Sequence, residues 1–205
     1  MSTNYTNNKR ILLSEDNYNI ATDNRLLIPF ERNGKFGFLN NEGGVAIKDD
    51  YDVIYGEFKS PSDLVIVGIM KHRLLGGKIY SKMAYGVIDI YGNLVMDIDY
   101  HSILFSNCKE YITVQRYDGC KYALYNSRGE NIIPDGTYQW MDGFWDGLAR
   151  VMINDKWGLI NTSGEIVLPI EYDKIWNFYG KTNDTITVQQ GRTLHEIPIC
   201  ELLSR

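Results

Sequence analysis

The sequence predicts an all-β protein built from tandem β-meander repeats. Three spacings indicate this fold class: a pair made of an aromatic and a tiny residue recurs, a glycine stands six residues after each pair, and a tyrosine follows that glycine by eight or nine residues. A fixed period of this kind is the signature of a repeat architecture. Helical periodicity is nearly absent along the chain, which leaves strands and turns as the repeating elements.

Four copies of the unit place equivalent residues in register. The aromatic–small pairs are Phe36-Gly37, Tyr85-Gly86, Tyr122-Ala123 and Trp157-Gly158. The glycines that follow are Gly43, Gly92, Gly129 and Gly164, and the tyrosines are Tyr51, Tyr100, Tyr138 and Tyr172. An apolar residue three positions later completes each unit: Ile54, Ile103, Met141 and Ile175. The sequence thus predicts one domain over 1–205, with repeats at 26–58, 63–105, 111–144 and 148–178.

A two-residue turn precedes each pair. The turns are Asn33-Gly34, Gly76-Gly77, Asp118-Gly119 and Asn154-Asp155. Such residues accept the positive φ angles of a type I′ hairpin turn, although Asn-Asp is a weaker version of the signal. Loops of this length predict the cross-strand partners Gly37 with Phe30, Gly86 with Val67, Ala123 with Val114, and Gly158 with Val151. A tiny residue at this position indicates that a backbone or a ring passes close over it.

The second glycine of each unit stands in a predicted tight turn. An Asn or Asp lies three residues before it in every copy: Asn40, Asp89, Asn126 and Asn161. Its side chain is expected to accept hydrogen bonds from nearby backbone N–H groups, with the glycine at positive φ. A third strand follows the turn, and the stretch after the tyrosine, such as "DKIWNF", is a candidate short fourth strand. Each unit is therefore a meander of three or four strands.

The two ends of the chain suggest how the repeats are arranged. Residues Asp184 to Ile199 look like the first hairpin of a fifth unit, with a turn at Gln190-Gly191, and 10–21 loosely resembles the part that this unit lacks. Two halves that complete one unit favour a propeller-like closed ring, because closure removes exposed strand edges. The alternative is an open β-solenoid whose atypical ends are caps.

Composition excludes several classes of protein. The 205 residues carry a net charge of −5, which argues against a nucleic-acid partner, since phosphates call for a basic surface. Three cysteines, Cys108, Cys120 and Cys200, form an odd set without metal-ligand spacing, as expected in a reducing compartment. No apolar run has the length of a membrane span or a signal peptide. We therefore expect a cytoplasmic protein that does not bind membranes.

The second copy departs from the others in length. Gly37 and Gly86 are 49 residues apart, against 37 and 35 for the later steps, and the excess predicts one long hairpin within 64–89 that turns at Gly76-Gly77. Six extra residues on each strand would extend its tip by roughly 20 Å. Either this hairpin folds back on the domain with its charges solvated, or it binds an acidic partner or a second copy of the chain. The candidate partner-binding residues are Lys71, Arg73, Lys78, Tyr80 and Lys82.

The predicted pairing gives this hairpin two different faces. Met70 pairs with Met83 and Leu74 with Ile79 on one face, and Lys71 pairs with Lys82 and Arg73 with Tyr80 on the other. No acidic residue stands between Ile69 and Val87. The hairpin is thus apolar on one side and basic on the other, within an acidic protein.

The residues that usually carry chemistry are scattered, so no catalytic site, metal site or cofactor is predicted. The histidines lack ligand spacing, and a Cys–His dyad of Cys108 and His101 is disfavoured against a core cysteine. Asp52 and Asp173 recur after their tyrosines, but His101 and Gln139 break the series, which favours local turn bonding over a cation channel. Four aromatic residues are candidates for stacking on a ligand, or else for filling gaps between units: Trp140, Phe144, Trp145 and Trp176.

The spacing resembles that of the bacterial WG-repeat proteins, also called KWG repeats. The match is closest in "DKWGLINTSGEIVLPIEYDKI" and extends over 26–178, although three copies replace the Trp and the third replaces the Gly with Ala123. The resemblance implies binding and scaffolding repeats and brings no catalytic residues. We therefore expect a non-catalytic protein-binding module, either a scaffold or an immunity-type inhibitor of a bacterial partner. The alternative is a glycan- or small-ligand-binding β-repeat protein.

Overall fold

The structure is all-β, as the repeats predict. It is a computed structural model that describes residues 25–106, 109–117, 122–176 and 184–203. Within those ranges it has eighteen strands, arranged as five antiparallel sheets of three or four strands, and one short helix. Each sheet is a meander in which neighbours in sequence are neighbours in the sheet. Antiparallel 3–4-stranded sheets in a repeating series are therefore confirmed.

The strands follow one another in chain order. The first sheet contains β1 (Ile28–Arg32), β2 (Lys35–Leu39) and β3 (Val45–Tyr51). The second contains β4 (Val53–Tyr55), β5 (Val65–Leu75), β6 (Lys78–Ile88) and β7 (Leu94–Tyr100). The third contains β8 (Ser102–Phe105), β9 (Tyr111–Gln115), β10 (Tyr122–Asn126) and β11 (Asn131–Tyr138). The fourth contains β12 (Trp140–Met141), β13 (Leu148–Ile153), β14 (Lys156–Asn161) and β15 (Ile166–Tyr172). The fifth contains β16 (Lys174–Trp176), β17 (Thr185–Gln190) and β18 (Thr193–Pro198), and helix α1 (Ile199–Leu203) follows it.

The chain divides into two compact halves, each larger than one repeat unit, at the bond between Asp99 and Tyr100. The core of the first half is built around Phe38 and Phe58, whose ring centroids lie 5.0 Å apart in an edge-on arrangement. In the second half, the described residues include two core clusters. One contains residues from β10 to β14, and the other contains residues from β13 to β17 together with Leu202 of α1.

A single residue joins each sheet to the next, and we call it the junction residue. The third strand of a unit ends at the repeated tyrosine, and the next strand begins two positions later in every case. The junction residues are Asp52, His101, Gln139 and Asp173. Their backbone N–H groups donate to carbonyls of the following hairpin, at 2.7–2.9 Å. The predicted short fourth strand therefore exists, but it pairs with the hairpin of the following unit: β16 pairs with β17.

The cross-strand partners of the tiny residues are those that the turns predict. Gly37 pairs with Phe30, Gly86 with Val67, Ala123 with Val114, and Gly158 with Val151. The reason for the small side chain is also confirmed. A Cβ atom on Gly158 would lie 2.7 Å from the carbonyl oxygen of Leu168, and the backbones of β3 and β7 approach Gly37 and Gly86 as closely.

A β-bulge in the third strand causes this close approach. Between two successive pairs, β14 advances by two residues, from Trp157 to Leu159, while β15 uses four, from Leu168 to Tyr172. The surplus bends the third strand over the glycine. In the third unit β11 uses five residues, from Ile133 to Tyr138. We attribute the tolerance for a methyl group at Ala123 to this longer bulge, which also accounts for the ninth residue in the sequence spacing.

The predicted Asx turns are present in all four units. In each, the side-chain oxygen of the Asn or Asp accepts hydrogen bonds from the backbone N–H groups two and four residues later, at 2.8–3.0 Å. The four glycines have φ angles between 79° and 82°. A side chain at any of them would strain the backbone, which explains why glycine recurs there.

The hairpin turns agree with the sequence at three places and differ at one. Asn33-Gly34, Gly76-Gly77 and Asn154-Asp155 all have positive φ at both positions, as type I′ turns require. The turn placed at Gln190-Gly191 lies one residue later, because Gln190 pairs with Thr193 and leaves Gly191 as the first loop residue. Asp118-Gly119, Cys108, Cys120 and 10–21 lie outside the described residues, so the split fifth unit is described only through its hairpin.

Two junction residues are acidic and tie one unit to the next. The carboxylate of Asp52 contacts Lys35 Nζ of the preceding hairpin at 2.8 Å and accepts the backbone N–H of Met70 in the following one at 2.7 Å. Asp173 contacts Lys156 at 2.5 Å and accepts the N–H of Gly191 at 2.6 Å. The lysine contact, supported by the backbone N–H, holds the pKa of both carboxyl groups below its ordinary value. These contacts reach residues 17 and 18 positions away, so they link consecutive hairpins and differ from the local turn bonding that the sequence favoured.

The second unit replaces both partners of this contact at once. Ala84 stands where the other hairpins have Lys35 and Lys156, and His101 takes the junction position. The His101 ring packs against Tyr117 with centroids 4.8 Å apart. In the third unit Gln139 keeps half of the arrangement, since its side-chain oxygen accepts the backbone N–H of Asn154 at 2.6 Å.

The substitution Gly158→Ala tests the close passage of the third strand. We expect it to lower the free energy of unfolding by about 1–3 kcal/mol, because the new methyl group meets the backbone at Leu168. A glycine in an unobstructed strand would gain stability from the same change. Ala123→Gly is the matched control and should cost no more than about 1 kcal/mol. Urea unfolding checks both values, and an unchanged or raised midpoint for Gly158→Ala would contradict the steric explanation.

The substitution Asp52→Asn tests the junction contact. A carboxyl group whose folded pKa is lowered stabilises the fold above its unfolded pKa of roughly 3.9, and this contribution is lost as the pH falls through the folded value. We expect Asp52→Asn to be less stable than the wild type by up to about 1 kcal/mol at pH 7, with the difference shrinking as the pH falls through the lowered pKa of the folded state. The measurement is urea unfolding from pH 7 to pH 3. Asp97→Asn, on an exposed strand position, is the charge control, and an equal loss there would disprove a specific contact.

Candidate functional site

The long hairpin of β5 and β6 is present with the predicted register, and we call its outer part, Met70–Met83, the arm. Pairing runs without a break from Val65 with Ile88 to Leu75 with Lys78. Met70 stands three residues after Val67, just as Asn154 stands three residues after Val151. The arm therefore begins at the position where an ordinary hairpin of this chain turns.

The apolar face of the arm is open to solvent. Met70 pairs with Met83 and Leu74 with Ile79, as predicted, and the side chains of Leu74 and Ile79 are 68% and 72% exposed. Between these pairs His72 faces Ser81, and the His72 Nδ1 and Ser81 Oγ atoms lie 2.7 Å apart within hydrogen-bonding distance. The face is thus two apolar pairs separated by one polar pair, a feature that the sequence reading did not single out.

The opposite face carries the basic residues. Lys71 pairs with Lys82 and Arg73 with Tyr80, and Lys78 pairs with Leu75 beside the turn. Lys71 Nζ lies 3.4 Å from a carboxylate oxygen of Asp99, an exposed contact at the base of the arm. All five predicted partner-binding residues are exposed. The structure therefore brings Lys71, Arg73, Lys78, Tyr80 and Lys82 together on one surface.

Exposure shows that the arm does not fold back on the described part of the chain. Every residue from Met70 to Lys82 is exposed, on both faces of the hairpin. A hairpin folded back on the domain would bury one face. The arm also concentrates charge: it has four of the 21 basic residues and none of the 26 acidic ones, which leaves a net charge of −9 on the rest of the chain.

The base of the arm is held by the junction residue Asp52. Its carboxylate accepts the N–H of Met70, the first arm residue, and at the same time contacts Lys35 of the first sheet. The strands then continue into the second sheet, where Gly68 packs against Val53 and Tyr85. The arm is consequently an extension of a buried hairpin and not a loop.

The four predicted ligand-stacking aromatics divide into buried and exposed pairs. Phe144 is buried in the second half of the chain, with its ring 5.4 Å from that of Tyr111. Trp145 is half-buried against the cluster that contains Leu148 and Ile186. These two side chains fill the interior, so Phe144 in particular does not present a face to a ligand. Trp140 and Trp176 are 43% and 38% exposed and do reach the surface.

Trp140 is fixed in place by a polar network. Its Nε1 atom donates to one carboxylate oxygen of the buried Asp142 at 2.9 Å, and Arg150 Nε donates to the other at 2.6 Å. Arg150 also donates to the backbone carbonyl of Ile175 at 3.0 Å and covers the ring of Trp157. Arg150 was not among the candidate residues, although a lone arginine in the otherwise apolar strand β13 is a signal for such a role.

A second network surrounds the repeated tyrosine of the second unit. The hydroxyl group of Tyr100 donates to that of Tyr125 at 3.4 Å, and Arg116, which is paired with Asp135 at 2.8 Å, lies over the Tyr100 ring. Burial, together with the Tyr125 contact, raises the pKa of Tyr100 far above its ordinary value. Tyr100 therefore stays protonated at neutral pH and acts as a structural donor.

The residue that follows the repeated apolar position is a large apolar residue in three of the four copies. The residues after the repeated apolar positions Ile54, Ile103 and Ile175 are Tyr55, Leu104 and Trp176, and all three are exposed. Aligning the copies one position beyond the repeated apolar residue predicts this pattern from the sequence.

The described residues offer no arrangement for metal-ion chemistry, since no group of three His, Cys, Asp or Glu side chains comes together among them. Cys200 is a free, exposed thiol. In the part of the chain that the structure describes, no helix has the length and apolar character that crossing a membrane takes.

Comparisons with known proteins address the repeat itself. The family model described as "WG containing repeat" matches residues 122–157 and 157–191. No curated protein sequence matches the chain. Among solved structures, a crystal structure of a eukaryotic initiation factor is similar over 84% of this chain, with 11% identity and a TM-score of 0.43, and the chain spans about half (48%) of that protein. A protein of unknown function from Bacteroides caccae is similar over 84% of this chain and 74% of its own, with 13% identity and a TM-score of 0.29.

The residues matched by the family model include the Trp157-Gly158 pair, its glycine turn, the junction residue Asp173 and strand β17, and the match ends at Gly191. Each of these parts has a defined place in the sheets described above. The chain contains WG repeats, and residues 122–191 are two consecutive units of that family.

Proposed function

We propose that this protein is a non-catalytic protein-binding module and that the arm is its contact surface. The observation that carries the proposal is the exposure of both faces of a hairpin that extends beyond its sheet. An isolated two-stranded hairpin is marginal in water, so a bound partner accounts for a length that the repeat itself does not use. A scaffold or an immunity-type inhibitor in the cytoplasm fits such a module.

The chemistry of the two faces supports a protein as the partner. The apolar pairs around Leu74 and Ile79 gain from being covered, and large exposed apolar groups mark interaction sites. The basic face selects for acidic surfaces and speeds the encounter with them. Nucleic acid is a poor fit, because the rest of the chain carries a net charge of −9 and repels phosphates.

The hydrogen bonds and ion pairs of the acidic residues support a non-catalytic role. Asp52 and Asp173 neutralise lysines and accept backbone N–H groups, and Asp142 is occupied by Trp140 and Arg150. Carboxylates engaged in this way position structure and are not poised for proton transfer. We therefore propose no cofactor or metal for the protein.

A second candidate function is the binding of a glycan or small ligand at Trp140. The exposed indole is held by Asp142, and its ring lies 5.5 Å from that of Tyr122, so it forms a fixed platform on which a sugar ring can stack. The test is binding to a glycan array. Binding that persists when the arm's charges are removed, but is lost in Trp140→Ala, would favour this function over the first.

We also propose that the five sheets form a propeller-like closed ring and not an open solenoid. Propellers have typically about four to eight blades, each a small antiparallel meander, and the sheets here have that form. Closure protects strand edges that an open stack leaves exposed at its ends.

The arm is tested by replacing Lys71, Arg73, Lys78 and Lys82 together with Ser. We expect this variant to lose partners that the wild type captures from the native host, and to lose any self-association seen by ultracentrifugation. The matched control replaces Lys48, Arg128, Lys174 and Arg192, which are exposed outside the arm and change the net charge equally. Capture and oligomeric state unchanged by the arm substitutions would refute the proposal.

The arrangement of the sheets is tested by small-angle X-ray scattering on the monomer. A compact chain of this length has a radius of gyration of roughly 17 Å, to which the arm adds slightly. We expect a value near that figure for a closed ring. A clearly larger value, with a distance distribution skewed toward long vectors, would point to the open solenoid.

A further inference from the structure

We propose that the arm binds its partner by strand addition along the outer edge of β5. The occupant is an extended segment of another protein in which acidic and apolar residues alternate. This inference rests on the proposed function of the arm and specifies how the arm recognises its partner.

The hydrogen-bond pattern shows which backbone groups the β5 edge presents. Met70 N–H donates to Asp52 and therefore points away from β6, which makes Met70 and Met83 a non-hydrogen-bonded pair. Hydrogen-bonded and non-hydrogen-bonded pairs alternate along an antiparallel ladder. His72 and Leu74 must then also direct their N–H and C=O groups outward. This alternation makes Leu75 and Lys78 a hydrogen-bonded pair, as expected for the two residues that flank a two-residue turn.

The neighbouring strand leaves this edge uncovered. β4 pairs with β5 only at Ile66, Val67 and Gly68. Beyond them Asp52 takes the amide of Met70, and in the described part of the chain no other strand pairs with the outer side of β5. His72 and Leu74 thus offer two donors and two acceptors in line with an existing sheet. An extended segment can join such an edge through its own backbone.

The two faces of the arm set the side chains of the added strand. Successive residues of a strand point to opposite faces, so one set of side chains in the partner lies beside Lys71 and Arg73, and the other beside His72 and Leu74. Opposite charges on neighbouring strands stabilise a sheet, and apolar pairs do the same. Acidic residues alternating with apolar ones therefore match this edge.

The same reasoning disfavours a second arm as the occupant. Edge-to-edge pairing of two arms in the matching facial arrangement would place Lys71 and Arg73 of one beside the same residues of the other. Like charges on adjacent strands are destabilising. An acidic segment from another protein meets no such opposition, and electrostatic attraction brings it to the arm.

The test uses synthetic peptides of about eight residues and measures binding to the full chain by fluorescence anisotropy at low salt. One peptide alternates Glu and Val, and a second has the same composition with all Glu first. We expect the alternating peptide to bind more tightly, and to weaken when the amides on its pairing edge are N-methylated. Equal affinity for the two peptides, or no binding of the alternating one, would overturn the inference.

Proline substitutions identify the edge. His72→Pro removes an outward N–H without removing a β5–β6 hydrogen bond, and we expect it to weaken binding of the alternating peptide roughly tenfold. Ser81→Pro does the same on the β6 edge and should leave affinity within about twofold. Both variants lose the His72–Ser81 side-chain contact, so they are matched, and His72→Ala controls for the ring itself. Circular dichroism establishes that each variant is folded.

The outcomes separate this inference from the proposed function. Loss of binding in His72→Pro alone supports strand addition at β5. Full binding in His72→Pro, with loss in the variant that replaces the four arm cations, would show docking by charge and overturn strand addition while the proposed function stands. Loss in Ser81→Pro but not in His72→Pro would overturn the choice of edge.

Discussion

The close passage of the third strand over a tiny residue is the constraint on which each repeat depends. The bulge that creates it, from Leu168 to Tyr172 in the fourth unit, turns the strand so that it ends at the repeated tyrosine. One junction residue later the chain has entered the next sheet, and the N–H of that residue is already bonded there. The glycine, the bulge and the tyrosine thus depend on one another structurally, which explains why their spacing recurs as a set.

Local geometry made much of this fold predictable from the sequence. A two-residue turn with positive φ fixes the hairpin register completely, so the partner of Gly158 and every pair in the arm followed from Asn154-Asp155 and Gly76-Gly77. The turn at Gly191 was displaced by one residue because a lone glycine fits either loop position. The pairing of β16 with the next hairpin is decided by the path of the chain after the bulge, which no local pattern encodes. The sequence left both ligand stacking and gap filling open for Phe144 for a related reason, since its burial depends on the neighbouring strand.

The second repeat shows how the same arrangement accommodates an extended hairpin. Its hairpin keeps Gly86 under β7 and keeps the N–H of Met70 on Asp52, so the inner half is an ordinary repeat. The lysine–acid contact is absent from its own junction, where Ala84 and His101 stand instead. The extra residues are added outside the last contact that the fold requires. A repeat can therefore gain an arm without disturbing the packing on which its neighbours rely.

The anchoring of the arm bears directly on how well it can bind. A flexible loop of the same composition would lose conformational entropy on every encounter, and that loss is subtracted from affinity. Asp52 and the continuous ladder from Val65 to Leu75 fix the arm's backbone before a partner arrives, so this cost is largely met during folding. Charge acts in the same direction, because a basic arm on a chain otherwise at −9 is the part to which an acidic partner is drawn. Rigidity and charge thus single out the same fourteen residues, Met70–Met83, as the surface that we propose for partner binding.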